Sequence, residues 1–345
     1  MFKKQLYIFL TLIILTQVSF SQTAYQAFPI GFYNLENLFD VYDDESINDE
    51  EFLPEGRNAW TLDKYERKQE NMASVISKLG TGMSPDGLVL LGVSEIENRS
   101  VLEDLVMQDA LRDRNYQIVH YDSPDKRGID VGLIYNPSYF ELIESKAHEL
   151  LIQSSGRRKF TRDVLHVKGR INGEVVHVLV NHWPSRSGGE KRSAPGRIAA
   201  AELNKSIAAE IYTMEPDAKI VIMGDLNDDP TSKSVKKILN AKKKIKQVKP
   251  RGFYNPMYSK FSKGVGSNAY RDSWSLFDQI IVSEACLDKT QSGLFFHKAE
   301  VFKEPKMLQP SGRYKNYPFR TFSNGVFING YSDHFPVVAY FLIRA

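Results

Sequence analysis

Cysteine is almost absent from this 345-residue chain, which contains only Cys286. A single cysteine excludes an intramolecular disulfide framework and a metal cluster held by several thiolates. Cys286 follows an apolar strand pattern, where cysteine generally packs as a small hydrophobic group, so a catalytic thiol is not expected. The fold must therefore be stabilised by its hydrophobic core, and a content of 42% hydrophobic residues is ordinary for a globular protein.

The sequence also lacks a large net charge and, beyond its N-terminus, any hydrophobic run that could span a bilayer. The formal net charge is +3 and includes Lys3 and Lys4, so bulk charge indicates neither a nucleic-acid partner nor a membrane partner. These lysines, the apolar stretch 6–18 and small residues before Gln22 are typical of a signal peptide. We expect residues 1–21 to be cleaved, leaving residues 22–345 as a single domain of a periplasmic or secreted protein without stable membrane insertion.

Several catalytic motifs are missing. We find no Walker loop, no His-Glu-x-x-His zinc motif, no Gly-x-Ser-x-Gly elbow and no glycine-rich dinucleotide fingerprint. A glycosidase with paired carboxylates is not excluded by residue type. It would not, however, explain why asparagine and histidine accompany the acidic residues described below.

Hydrophobic periodicity indicates an α/β protein. Apolar residues at three- and four-residue spacing predict helices over 62–79 and about 195–214, and a Ser100–Glu103 capping box opens another. Short β-branched runs predict strands between these helices. Asn172-Gly173 predicts a two-residue hairpin, which makes at least one sheet mixed.

Polar side chains follow several of the predicted strands. Asp225 and Asn227 follow the run Lys219–Met223 and Gly224, and in extended backbone residues two apart point the same way. Such a segment alone is most often a turn. A calcium loop is rejected, because Pro230 stands where glycine is needed and Lys236 where a bidentate glutamate is needed.

The polar residues at the strand ends together suit hydrolysis of a phosphoester. The acids can bind a magnesium-like ion, which prefers oxygen ligands. An aspartate can deprotonate the attacking water, asparagines can donate to phosphoryl oxygens, and histidines can bind phosphate or protonate the leaving oxygen. The candidates are Glu36, Glu95 and Asp333 for the metal, Asp225 for the water, Asn34 and Asn227 for the phosphate, His182 and His334 for the phosphate or leaving group, and Asp278 for orienting a histidine.

This ordered set resembles the endonuclease/exonuclease/phosphatase superfamily. The motifs are Asn34-x-Glu36, Glu95, Asn181-His182, Gly224-Asp225-x-Asn227, Asp278 and Ser332-Asp333-His334. The sequences that flank the first and third motifs are similar to those of exported bacterial endonuclease-like members. The resemblance extends from about Pro29 to the C-terminus. It implies a four-layer α/β/β/α sandwich of two packed mixed sheets, with the site at one end.

The resemblance also implies cofactors and partners. It implies Mg²⁺ or Mn²⁺ bound chiefly through Glu95, and it does not exclude Ca²⁺ as an accessory ion. It also implies that Asp278 pairs with His334. It adds Arg127, Asp130, Arg162 and Arg186 as phosphate or loop contacts.

The expected protein is a monomeric, secreted phosphodiesterase, most simply an endonuclease acting on nucleic acid. A phospholipid or sugar-phosphate phosphoesterase and a non-catalytic binding protein are the alternatives. A lipid substrate would need an exposed hydrophobic hairpin, for which only residues 252–258 qualify, and their aromatic residues are more readily explained by packing. The Lys-rich stretch 242–251 is interpreted as a surface loop, with a phosphate-attracting patch as the alternative.

Overall fold

The structure is a computed structural model that describes residues 24–154, 156–290 and 293–344. The predicted signal peptide lies outside the described residues. Within the described ranges, every helix is too short or too polar to cross a membrane.

The described residues form four α-helices and eighteen strands. The helices are α1 (Leu62–Ile76), α2 (Arg99–Val106), α3 (Glu190–Met214) and α4 (Met257–Phe261). The strands are β1 (Tyr25–Leu38), β2 (Leu90–Ile96), β3 (Gln117–His120), β4 (Asp130–Tyr135), β5 (Phe140–His148), β6 (Ile152–Ser154), β7 (Arg157–Lys159), β8 (Val164–Ile171), β9 (Glu174–His182), β10 (Lys219–Asp225), β11 (Phe253–Tyr254), β12 (Asn268–Tyr270), β13 (Ser273–Ser275), β14 (Asp278–Ser283), β15 (Phe295–Val301), β16 (Phe322–Ser323), β17 (Val326–Phe327) and β18 (Val337–Arg344).

Two six-stranded sheets share one plan. The first has the order β15-β18-β1-β2-β4-β3, and the second has the order β11-β14-β10-β9-β8-β5. In each sheet a central parallel pair, β1 with β2 or β10 with β9, is flanked by antiparallel strands. A helix crosses between the members of each parallel pair, as parallel neighbours require. The prediction of mixed sheets is confirmed.

Three buried apolar clusters separate four layers. One cluster lies between the sheets and joins residues such as Phe32 of β1 to Met223 of β10. A second packs α1 and α2 on the outer face of the first sheet, and a third packs α3 on the outer face of the second. The predicted α/β/β/α sandwich is therefore confirmed.

The strand directions bring six strand ends to one end of the sandwich. β1 and β2 finish there in the first sheet, and β9 and β10 finish there in the second, because each pair is parallel. β14 and β18 begin there, since they run antiparallel to β10 and β1. We call this end, where the polar strand ends meet, the catalytic edge.

Some local predictions differ from the structure. α1 ends at Ile76 rather than at residue 79, and α3 begins at Glu190, so Pro195 lies inside it. α2 is capped by Asn98, whose side chain accepts from the Val101 amide, instead of by the predicted serine. The Asn172-Gly173 hairpin is confirmed, with φ values of 49° and 82° that suit a type I′ turn.

The Lys-rich stretch lies at the other end of the second sheet. Lys242 bridges to Tyr254, which pairs with Val282 of β14. Asp278 is four residues from Val282 along an extended strand, a distance of roughly 13 Å. This placement favours the surface-loop interpretation and gives the stretch no role at the catalytic edge.

Candidate active site

One hydrogen bond joins the two sheets at the catalytic edge. Asn34 Nδ2, at the point in β1 where regular pairing with β2 is interrupted, donates to Asp225 Oδ2 at the end of β10, over 3.2 Å. Both side chains are almost fully buried, with exposures of 0% and 2%. In the second sheet Asp225 has His182 and Asp278 as its register partners on either side. Asp225 is thus surrounded by predicted site residues from both sheets.

The pairs of polar residues two apart are brought together by a turn, and the extended backbone expected for them is wrong. Asn34 Oδ1 accepts from the Glu36 amide, and Asp225 Oδ1 accepts from the Asn227 amide, both over 2.9 Å. Short polar side chains commonly bond to the amide two residues further on and so compete with extended structure. Ser332 Oγ accepts from the His334 amide in the same way.

Four residues at this edge other than glycine have left-handed backbone. Glu36, Asn37, Glu95 and Asn227 have φ values of 50°, 51°, 58° and 47°. Glutamate is uncommon in this region of the backbone map, and such conformations persist where the surrounding structure enforces them, often at functional sites. The strain turns the side chains out of the strand alternation and into the edge.

Asp225 is positioned to accept a proton. Its Oδ2 lies 3.7 Å from His182 Nε2 and 3.8 Å from His334 Nε2. Burial raises the pKa of Asp225 above its ordinary value, partly opposed by the nearby His334. A carboxylate with a raised pKa is a better general base near neutral pH than an exposed one.

His334 is held by a buried carboxylate. Its Nδ1 lies 2.7 Å from Asp278 Oδ2, which also accepts from Ser267 Oγ. Burial alone would lower the pKa of His334, but the charges of Asp278 and Asp225 outweigh it and raise that pKa well above the ordinary value. The Asp278–His334 contact is the one expected of an orienting pair, which fixes the ring and favours its charged form.

His182 has the opposite electrostatics. Burial lowers its pKa well below the ordinary value, and the charges of Arg162 and Arg127 lower it further. Its Nε2 lies 3.7 Å from Glu95 Oε1, while its Nδ1 has no hydrogen-bond partner within the described residues. The lowered pKa favours the uncharged form of this ring, which can donate or accept a hydrogen bond.

Two of the predicted metal ligands are already paired with cations. Arg320 donates from Nε to Glu36 Oε1 over 3.1 Å and from Nη2 to Asp333 Oδ2 over 3.0 Å. Glu36 Oε2 accepts from the Thr321 amide and lies 4.0 Å from the buried Lys68 Nζ. Burial and, next, the charge of Asp333 raise the pKa of Glu36 to about 7, although Lys68 and Arg320 oppose the rise.

Glu95 is the predicted ligand least committed to other cations. Its Oε2 accepts from the Asn37 amide over 3.1 Å, and its side chain is 18% exposed. A divalent ion fits this donor chemistry, because carboxylate oxygens are suitable ligands for such an ion. Arg320 and Lys68 already neutralise part of the negative charge at the edge. Glu95 would hold such an ion, and Glu36 or Asp333 could join it after releasing Arg320.

A different group of metal-ligand type has its atoms already close together. Ligand atoms of His120, Asp122 and Asp130 all lie within 4.8 Å of one another, the one such group found among the described residues. His120 Nε2 lies 3.1 Å from Asp130 Oδ2, and Ser123 donates to Asp130 Oδ1. Asp130 is paired in register with Ile96, next to Glu95, so this group lies beside the catalytic edge.

The four residues predicted to contact phosphate or loops are all bonded to other groups of the protein. Arg162 is buried and donates to Asp125 and to the Trp183 carbonyl, and Arg127 is exposed and also contacts Asp125. Asp130 is engaged as just described. Arg186 donates to the Asn227 carbonyl and to Asp228 and Asp229, so it stabilises the loop after β10.

The sequence interpretation missed Lys68, Arg320 and Ser267. Lys68 could have been found, because it shares the buried face of α1 with Tyr65 and Met72. A lysine on an apolar helix face is rarely buried without a partner. Arg320 and Ser267 follow no recognisable motif, and only the fold brings them to the edge.

Comparisons with known proteins agree with this architecture. The model of the Endonuclease/Exonuclease/phosphatase family matches residues 29–343. A search of curated proteins finds no match.

Solved structures share the fold at low sequence identity. TDP2 from D. rerio, complexed with a single-strand DNA product, is 13% identical, with 91% and 98% of the two chains covered and a TM-score of 0.53. A family protein from Bacteroides thetaiotaomicron is 16% identical, with 93% and 99% covered and a TM-score of 0.55. A mannosyl-6-phosphatase from the same organism is 16% identical, with 91% and 99% covered and a TM-score of 0.54.

Proposed function

The chain belongs to the endonuclease/exonuclease/phosphatase family, whose members are divalent-metal-dependent phosphoester hydrolases, and from this membership we propose that it is a phosphodiesterase acting on nucleic acid. The observation that carries the proposal is the position of Asp225. It is hydrogen-bonded across the sheets to Asn34 and lies within 3.8 Å of both His182 and His334. An enzyme that must activate a water beside a phosphate needs this combination of base and donors.

Each residue at the edge has a proposed task. Asp225 takes the proton of the attacking water. Asn34, Asn227 and the charged His334 donate to the phosphoryl oxygens, whose negative charge grows in the transition state. His182 contacts the leaving oxygen through a neutral ring. When bound at Glu95, a divalent ion would supply Lewis-acid stabilisation of the phosphate.

The rim of the site supports a nucleic-acid substrate. Ser267, which donates to Asp278, leads into the β12–β13 hairpin, and the Asn268 side chain donates to the Asp333 carbonyl. The tip of this hairpin exposes Tyr270 by 68%, with Arg271 5.1 Å from its ring. Exposed aromatic rings beside cations are suited to stacking on bases and pairing with the backbone of a single strand.

The lipid alternative loses its only sequence support. Phe253, Pro256 and Met257 of the segment proposed as a hydrophobic hairpin are buried. A sugar-phosphate substrate stays open, and the mannosyl-6-phosphatase of similar fold makes it the second candidate.

A substrate panel tests the proposal. Purified protein with Mn²⁺ is incubated with plasmid DNA, RNA, sphingomyelin and a hexose 6-phosphate, and Asp225→Ala serves as the background control. We expect cleavage of DNA or RNA at a rate that Tyr270→Ala lowers severalfold, with little change in hydrolysis of bis-p-nitrophenyl phosphate. Faster hydrolysis of the sugar phosphate than of either nucleic acid would refute the nucleic-acid assignment.

Export and a monomeric state are also part of the proposal. Export is supported by the signal-peptide pattern of residues 1–21. N-terminal sequencing of the expressed protein should find Gln22 first. Light scattering after gel filtration should give the mass of a single chain.

A further inference from the structure

A second concentration of titratable side chains lies on the outer face of the second sheet, beneath α3. Three of the seven histidines of the chain are found here: His148 at the end of β5, His166 in β8 and His177 in β9. They lie diagonally across three neighbouring strands, because the register partner of His166 is Lys146 and that of His177 is Lys168. We call them the histidine diagonal.

The histidine diagonal is separate from the catalytic edge. His177 is paired with Ile220 at the start of β10, whereas Asp225 lies at the end of the same strand. Five residues of extended chain span roughly 16 Å. No residue of the diagonal contributes to the phosphate chemistry proposed above.

The imidazoles of the diagonal are within bonding distance of each other. His166 Nε2 lies 2.9 Å from His177 Nδ1, so one of these nitrogens donates and the other accepts. On its far side, His177 Nε2 lies 3.2 Å from Glu215 Oε2. Glu215 is fixed in turn by Lys168, whose Nζ is 2.6 Å from Oε1.

This arrangement matches the surroundings of a metal-binding histidine. A histidine that coordinates a metal through one nitrogen usually donates its other N–H to a carboxylate, which fixes the ring and raises its basicity. His177 already makes that bond to Glu215 and turns its Nδ1 towards a second imidazole. Neutral imidazole nitrogens are favourable ligands for Zn²⁺, Cu²⁺ and Ni²⁺.

We propose that His166 Nε2 and His177 Nδ1 bind a Zn²⁺-type ion, which replaces the proton that they share. With Zn–N bonds of about 2.0 to 2.1 Å, two tetrahedral ligand nitrogens lie about 3.3 Å apart. The observed 2.9 Å therefore has to open by only a few tenths of an ångström. Because His177 keeps its proton on Nε2 towards Glu215, the shared proton belongs to His166 and moves to its Nδ1 by exchange with solvent, so that both rings bind the ion as neutral imidazoles.

His148 supplies the third ligand. Its Nε2 is buried and has no hydrogen-bond partner in the part of the chain that the structure describes. Its ring centroid is 5.7 Å from that of His166. A buried nitrogen without a partner costs stability, and rotation of this ring towards the shared ion would satisfy it.

Space for the ion and its water exists next to the rings. A cleft of about 400 Å³ is lined by all three histidines and by residues of α3, including Glu210 and Met214. A water or the Glu210 carboxylate completes a tetrahedral site of three nitrogens and one oxygen.

Zinc binding by matched variants tests the site. Untagged purified protein is dialysed against micromolar Zn²⁺ with millimolar Mg²⁺ present, and bound zinc is measured by elemental analysis. The Glu95→Gln substitution weakens binding at the catalytic edge, and His120→Asn is added to it because His120, Asp122 and Asp130 form a second group of metal-ligand type there. In this doubly substituted protein we expect about one zinc per chain, reduced at least tenfold by His166→Asn or His177→Gln. His297→Asn is the matched control, because His297 is an exposed histidine on β15, and it should retain the zinc.

A second measurement does not depend on the folding of the variants. X-ray absorption at the zinc edge of the doubly substituted protein should show nitrogen and oxygen neighbours with the scattering pattern of at least two imidazoles. The proposal is overturned if this protein binds no zinc, if the zinc shell lacks imidazole, or if folded His166→Asn and His177→Gln variants retain the full zinc content. Phosphodiesterase activity is read separately, so its loss or retention does not bear on this result.

Discussion

The two sheets have the same strand plan but carry opposite chemistry at the catalytic edge. The end of the first sheet presents Glu36 and Glu95, and Glu36 is neutralised by Arg320 and Lys68. The end of the second sheet presents Asp225 and Asp278, whose neighbours are histidines. A nearby cation favours the ionised form of a carboxylate, which is the form that binds a metal. A nearby histidine can itself gain or lose a proton, which suits a carboxylate that exchanges protons. The roles that we propose therefore divide between the two sheets, with metal binding by the acids of the first sheet and proton transfer by those of the second.

The largest loss of activity should follow substitution of Asp225, which lies between His182 and Asp278 at the catalytic edge of the second sheet. Asp225→Asn retains the shape but removes the base, so turnover of bis-p-nitrophenyl phosphate should fall at least about a hundredfold. Asp217→Asn, an exposed aspartate just before the other end of β10, is the control and should keep its rate. If the Asp225→Asn protein kept its activity, Asp225 would not be the general base.

The first sheet should respond through its metal requirement. Glu95→Gln should raise the Mg²⁺ concentration needed for half-maximal activity by about tenfold or more, because it removes a ligand charge. Glu36→Gln should raise it less, since Glu36 is already paired with Arg320. Metal titrations of the two variants decide this, and equal effects would contradict the distinction between the two acids.

Loss of the Asp278–His334 pair should change the pH dependence of the activity. Asp278 favours the charged form of His334, so Asp278→Asn should lower the pKa of His334. If the charged ring stabilises the transition state, activity rises on protonation, and the variant should lose activity at a lower pH on the alkaline side. A pH–rate profile with an unchanged alkaline limb would show that His334 acts without its charge.

The smallest expected effect concerns acid stability at the histidine diagonal. Burial and, to a smaller extent, the nearby His177 and His148 lower the pKa of His166 to about 4. The unfolded chain, with a histidine pKa of about 6.5, binds more protons between these values, so stability falls as the pH drops from 6.5 to 4. His166→Asn should show a smaller loss between pH 7 and pH 4.5 in urea unfolding with EDTA present. A loss as large as that of the wild type would rule out this contribution.

Much of the architecture could be predicted from the sequence, because it depends on patterns that repeat along the chain. The apolar run ending at Asp225 and the Asn172-Gly173 turn predicted strands that the structure contains. The left-handed turns at Glu36 and Asn227 could not be predicted from strand periodicity, since a side-chain bond to the backbone decides them.

The cations that pair with the acidic residues could not be predicted from the sequence either. Arg320 is 284 residues from Glu36 along the chain, and no spacing rule connects them. The histidine diagonal was only partly hidden: the predicted Asn172-Gly173 hairpin already places His166 diagonal to His177, whereas the pairing of β5 with β8 that adds His148 follows from no sequence motif.

The central claim is that the catalytic edge hydrolyses phosphodiesters with a divalent ion. The most direct measurement is the release of p-nitrophenol from bis-p-nitrophenyl phosphate by purified protein with Mg²⁺ or Mn²⁺, repeated with excess EDTA. We predict turnover with at least one of the two ions and its loss in EDTA, restored when the ion is added back. Absence of turnover with every divalent ion, or full turnover in EDTA, would contradict the account.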